Sequence, residues 1–140
     1  KVGKSPEKEI GFFPVQFTQQ GLEDPLFEGL QKRIDVFHWH EDMSELPTKA
    51  SLLASSQGCP TQAFKIGPCA YGLQFHIEVT GATVHEWAEA YFSKGEPSQE
   101  LQRSQIIEDY QRKQKAFHNT ADRIYNNFLK MVNHYKYQKV

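Results

Sequence analysis

At 140 residues, with 39% apolar and 13% aromatic side chains, the chain is long enough for one domain with a buried core, and it has no apolar run of bilayer length. The net charge of -1 conceals a basic final third, where seven Lys or Arg from Arg112 onward face the single Asp122. Those charges are interleaved with apolar residues at helical spacing, which marks a solvated helix face and argues against nucleic acid as a partner.

The first two thirds read as short strands separated by turn chemistry. In FFPVQFT, residues 12–18, Phe13, Val15 and Phe17 alternate with Pro14, Gln16 and Thr18, and Pro14, having no amide hydrogen, suits an edge strand. IDVFHWH, residues 34–40, puts Val36, His38 and His40 on one face and Phe37 and Trp39 on the other. SLLASS, QAFKIG and AYGLQFHIEV follow, the last two joined across Gly67-Pro68 as an antiparallel hairpin. Beyond Glu78 the period changes to that of a helix, with Val84, Trp87, Ala88, Tyr91 and Phe92 on one face behind a Thr83–Glu86 capping box. KGEPSQE around Pro97 reads as a turn, a weaker helix begins near Ser98, and a stronger one carries Phe117, Ala121, Ile124, Tyr125, Phe128, Val132 and Tyr135. The domain reading is a strand region with its following helix over 1–93 and a helical extension over 94–140 that packs on the same domain. Exposed aromatics in that extension, such as Tyr135 and Tyr137, offer a surface for a partner.

Cys59 and Cys69 are the only cysteines and form no CxxC, so neither a disulfide framework nor a thiolate zinc site is expected; a reducing cytoplasm suits them. The opening KVGKSPEKEIG lacks the apolar stretch of a secretory signal and reads as sequence from the middle of a domain.

YGLQFHIEV, residues 71–79, carries the chemistry. Leu73, Phe75, Ile77 and Val79 alternate with Gln74, His76 and Glu78, and residues two apart on a strand point the same way. A carboxylate at that distance from an imidazole fixes its tautomer and leaves the second ring nitrogen free to take a proton, which is two thirds of a nucleophilic triad.

Four separated segments resemble the C-terminal half of a class I glutamine amidotransferase domain, particularly its GMP-synthase-like branch: KEIGFFPVQFT, VFHWHEDMSELP, LLASSQGCPTQAF and YGLQFHIEVT. The resemblance runs from Lys1 to about Trp87. It implies an α/β fold, the C-terminal half of a flavodoxin-like sandwich with short, mostly antiparallel strands followed by helices. It also implies hydrolysis of the side-chain amide of L-glutamine through a cysteine thioester, with ammonia passed to an acceptor. Carried over by position, His76 is base and acid and Glu78 orients it. His40, Glu41 and Asp42 fall on the family's substrate loop, where Glu41 replaces the usual glycine.

The nucleophile in this family stands on a G-x-C-x-G elbow, and neither cysteine fits. Cys59 has Gln57 and Thr61 at the glycine positions, and Cys69 has Gly67 but Tyr71. The resemblance therefore puts the nucleophile upstream of Lys1 and implies that these residues alone are inactive. Expected partners are the missing N-terminal half, a synthetase or other acceptor enzyme, and a second copy of the chain; no membrane, cofactor or metal is expected. Two other readings compete: an amidotransferase-like interaction module without chemistry, and a metallo-β-lactamase-type hydrolase suggested by the H-x-H-x-D of His38, His40 and Asp42.

Overall fold

A computed structural model describes the backbone of residues 1–137 and the side chains of residues 1–134. Five strands form one antiparallel sheet: β1 (Val2–Phe17), β2 (Arg33–Ser44), β3 (Ala50–Ser55), β4 (Ala63–Ile66) and β5 (Ala70–Leu73). Their spatial order is β2-β1-β3-β4-β5. Between β1 and β2 lie the short helix α1 (Gln19–Glu23) and a 3-10 turn, Pro25–Phe27; helices α2 (Gly81–Tyr91) and α3 (Pro97–Tyr137) follow the sheet.

The mixed architecture, strands first and helices after, agrees with the sequence, but β1 and β2 are long, at 16 and 12 residues. Pro14 is in a strand with neighbours on both sides, not at the sheet's edge. It is tolerated because β3 pairs with β1 only at Gln16 and Phe17, so at Pro14 itself only β2 is alongside.

Alternation along β2 divides the interior into two cores. Ile34 and Val36 join Val15, Phe17, Leu53, Ala54 and Phe75 on one face, while Phe37 joins Val79, Val84, Tyr110 and Phe117 on the other. Helix α3 reaches both, contributing Ile124 to the first and Tyr110 and Phe117 to the second. The two expected C-terminal helices are thus one, 41 residues and so about 60 Å long. No glycine or proline interrupts 98–137, and the run of Gln, Arg, Lys and Glu suits a helix. Its buried line is Tyr110, Phe117, Ala121, Ile124 and Asn127, whereas Tyr125 and Phe128, expected with Ile124, are each 43% exposed. The side chains of Tyr135 and Tyr137 lie outside the described residues.

Two local expectations also change. The strand expected over 71–79 ends at Leu73, and beyond it the bridge between His76 and Phe37 is an isolated one, outside any strand. The cap of α2 is Thr80, whose hydroxyl accepts from the Thr83 amide at 3.3 Å, three residues ahead of the expected box.

Candidate active site

Leaving β5, the chain crosses to β2, and the His76 amide donates to the Phe37 carbonyl at 2.8 Å. This bond anchors the imidazole to the sheet where a strand no longer does. The ring is held on one side by Trp87 of α2, edge-on with centroids 5.1 Å apart, and Trp87 in turn packs on Trp39 of β2. Packed aromatic walls restrict the rotation of His76 while leaving its side chain 26% exposed.

His76 Nδ1 lies 2.6 Å from Glu78 Oε1. An ionised carboxylate only accepts, so Nδ1 carries the proton and Nε2 presents its lone pair. Among the described residues Nε2 has no hydrogen-bond partner. Glu78 is fixed as well, because its Oε2 accepts from the Ile77 amide at 2.9 Å. Partial desolvation pushes the Glu78 carboxyl upward, but the hydrogen bond from His76 and those from the backbone outweigh it and hold the group below its usual range. The pair is thus preset as an oriented imidazole with one nitrogen open to a reacting group.

His40, Glu41 and Asp42 do not gather into one cluster. His40 points inward, where its Nε2 is 3.2 Å from Oε2 of buried Glu9, and burial lowers its pKa although Glu9 works against that shift. Glu41 and Asp42 are on the surface. Tyr91 of α2 donates to Glu41, and Lys4 pairs with Asp42 at 3.0 Å. The exposed Glu41 thereby ties the end of β2 to α2 and to β1, where Lys8 stands 3.8 Å away.

The two cysteines lie in different settings. Cys59 is fully buried, its Sγ donates to the Thr61 carbonyl at 3.5 Å, and burial pushes its thiol pKa up, away from the thiolate a nucleophile needs. Cys69 is exposed on the β4–β5 turn. Neither is a hydrogen-bond partner of His76.

Residues missed in the sequence surround His38. Its Nε2 donates to the Phe13 carbonyl at 3.2 Å, so its Nδ1 faces inward unprotonated, 3.3 Å from His40 Nε2. Burial and the neighbouring His40 lower its pKa to about 4. Glu9 completes the group, held by Ser56 and Gln62 at 2.7 Å each. The period-two spacing showed the two histidines sharing a face; the carboxylate facing them is Glu9 of β1, and not the Asp42 of the H-x-H-x-D reading.

No family model matches the chain. A glutamine amidotransferase-like protein of Salmonella typhimurium is 46% identical over 79 residues, 56% of this chain and 33% of that protein. A glutamine-hydrolysing GMP synthase subunit from Pyrococcus abyssi is 36% identical over 81 residues, 56% of this chain and 42% of that protein. In three dimensions a glutamine amidotransferase from Thermotoga maritima superposes on 91% of the chain with a TM-score of 0.74 at 28% identity. This chain is a relative of the glutamine amidotransferases. It spans 33% and 42% of the lengths of those two curated relatives and 54% of the Thermotoga amidotransferase. An amidotransferase from Methylobacillus flagellatus, at 24% identity and a TM-score of 0.77, shares the fold, again over about half its length, 55%.

Proposed function

We propose that this chain supplies the proton-handling half of a class I glutamine amidotransferase site, in which His76 is the base and acid and Glu78 its orienting carboxylate. The observation that carries the reading is the 2.6 Å contact between Nδ1 and the carboxylate with Nε2 left open. The reaction is hydrolysis of the glutamine side-chain amide: a cysteine thiolate attacks the amide carbon, His76 protonates the departing ammonia, and His76 then takes a proton from the water that releases glutamate.

The nucleophile belongs to the part of the amidotransferase domain that the relatives carry outside the matched region, because Cys59 is buried with a raised pKa and Cys69 is on the wrong turn. Residues 1–140, assayed by themselves, therefore release no ammonia; a triad's members act as a unit. The presence of a GMP synthase component among the relatives supports a synthetase partner that consumes the ammonia, and the two unpaired thiols suit a cytoplasmic setting. We extend the same reading to domain organisation: residues 94–140 are an extension of the domain formed by 1–93, since Ile124 and Phe117 complete its two cores.

Among the described residues, no helix is long and apolar enough to cross a membrane. Exposed Glu41 and Asp42, with buried His40, end the same strand to which His76 is anchored at Phe37, and we assign these three residues to the rim of the glutamine pocket. The test is glutamate and ammonia release by the protein carrying both halves of the domain. His76→Ala should abolish release, and Glu78→Ala should lower kcat with a smaller effect on KM, since orientation is lost and the proton carrier stays. Unchanged kcat in His76→Ala would defeat the assignment, and an amidotransferase-like interaction module without chemistry would then be the better description.

A further inference from the structure

The interior group on β1 and β2 remains unexplained by glutamine chemistry. Glu9, His38 and His40 are 3%, 0% and 9% exposed, and one ligand atom of each lies within 4.8 Å of the other two. Strand pairing brings the group together: Glu9 of β1 stands directly across from His40, which shares a face of β2 with His38.

We infer that Glu9 Oε2, His38 Nδ1 and His40 Nε2 form a closed structural site for a single first-row divalent ion, zinc above all. The three atoms are 3.2, 3.3 and 3.7 Å apart. Ligands about 2.0–2.2 Å from a tetrahedral ion stand about 3.3–3.6 Å from each other, so the set already has the required size. Two imidazoles with one carboxylate suit zinc in donor type. The tautomer is also correct at His38, because its bond to the Phe13 carbonyl commits the proton to Nε2 and turns the Nδ1 lone pair inward, as backbone carbonyls behind metal-binding histidines do.

Gln62 offers the fourth vertex. Its terminal amide is 2.7 Å from Glu9 Oε2 and 3.4 Å from His38 Nδ1, while its Oε1 is buried without a hydrogen-bond partner among the described residues. Turning the amide over brings that oxygen toward the ion. Charge points the same way. A carboxylate buried to this degree needs compensation, and among the described residues the ion-pair partners of Glu9 are these two imidazoles alone. With every ligand sealed from water, the ion would clamp β1 to β2 and, through Gln62, to the segment entering β4. It would take no part in glutamine hydrolysis.

The competing occupant is a proton on His40 Nε2 shared between Glu9 and His38, and experiment separates the two. Purified protein is stripped with chelator under denaturing conditions, refolded with Co2+ or Zn2+, desalted and analysed for bound metal. We expect about one ion per chain, visible cobalt bands of tetrahedral intensity, and a thermal midpoint higher with Zn2+ than with chelator. Glu9→Gln and His38→Ala should each weaken Co2+ binding by about 100-fold or more, with exposed His85→Ala unchanged. Should either interior variant fail to fold, the wild-type cobalt spectrum and midpoint still decide the matter. Fewer than about 0.1 ions per chain, or identical midpoints with zinc and chelator, would overturn the inference in favour of the shared proton.

Discussion

Asn127 offers the sharpest test of whether α3 is integral to the domain. Its side chain is 4% exposed, and its Nδ2 donates to the Leu26 carbonyl at 3.1 Å and to the Glu28 carbonyl at 3.0 Å, clasping the 3-10 turn that precedes β2. Asn127→Leu keeps the branched shape, with methyl groups in place of the amide oxygen and nitrogen, and removes both donors. The Leu26 carbonyl, in a buried contact, is stranded at about 1–3 kcal/mol, whereas that of Glu28 is near enough to water to be rehydrated at about 0.5 kcal/mol. After a small gain from the apolar leucine, the net loss is about 2 kcal/mol. At about 2.1 cal/mol/K per residue the unfolding entropy of the 140-residue chain is about 0.3 kcal/mol/K, which translates the loss into a midpoint about 7 °C lower. Differential scanning calorimetry of the variant against the wild type and against Asn126→Leu, whose parent side chain is exposed, gives the comparison. If Asn127→Leu melts within about 1.5 °C of the wild type, a difference of about 0.5 kcal/mol, the clasp contributes nothing and α3 is only loosely docked.

Other consequences are open to simple measurement. A Cβ on Gly21 would lie 2.0 Å from the Leu53 carbonyl oxygen, backbone that cannot step aside, so Gly21→Ala should separate α1 from β3 and cost at least about 2 kcal/mol in urea denaturation; a stability equal to wild type would contradict the packing. With a thiol reagent at neutral pH, exposed Cys69 should react promptly while Cys59 reacts only on unfolding, and two equally fast thiols would show that the Cys59 cavity opens readily. The Glu78 carboxyl, followed by carbon NMR, should titrate below the ordinary glutamate range. Its depressed folded pKa contributes stability above the unfolded value that is lost as pH falls through the folded one, and His76→Ala should move the midpoint up. No upward movement would mean that the imidazole does not hold the carboxylate.

Local rules carried the reading some distance. Period-two alternation located the strands, and the change to a helical period located α2, because side-chain direction within one element depends only on neighbouring dihedrals. The His76–Glu78 pairing was legible for a related reason: two residues apart, they meet even though the strand itself stops at Leu73 and the chain continues by a single bridge to Phe37. Resemblance extended this to the glutamine amidotransferases, on motifs that composition could not have supplied.

Tertiary structure decided what depends on partners far along the chain. Glu9 meets His40 across strands 31 residues apart in sequence, through a register that no local pattern encodes. The choice of buried line on α3 was likewise settled by contact. Both Ile124 and its neighbour Tyr125 satisfy the apolar criterion, and the sheet and the 3-10 turn meet the line that continues to Asn127, leaving Tyr125 and Phe128 outward. A helix is equally helical in any rotation about its axis, and so only the surface it packs against selects the side that is buried.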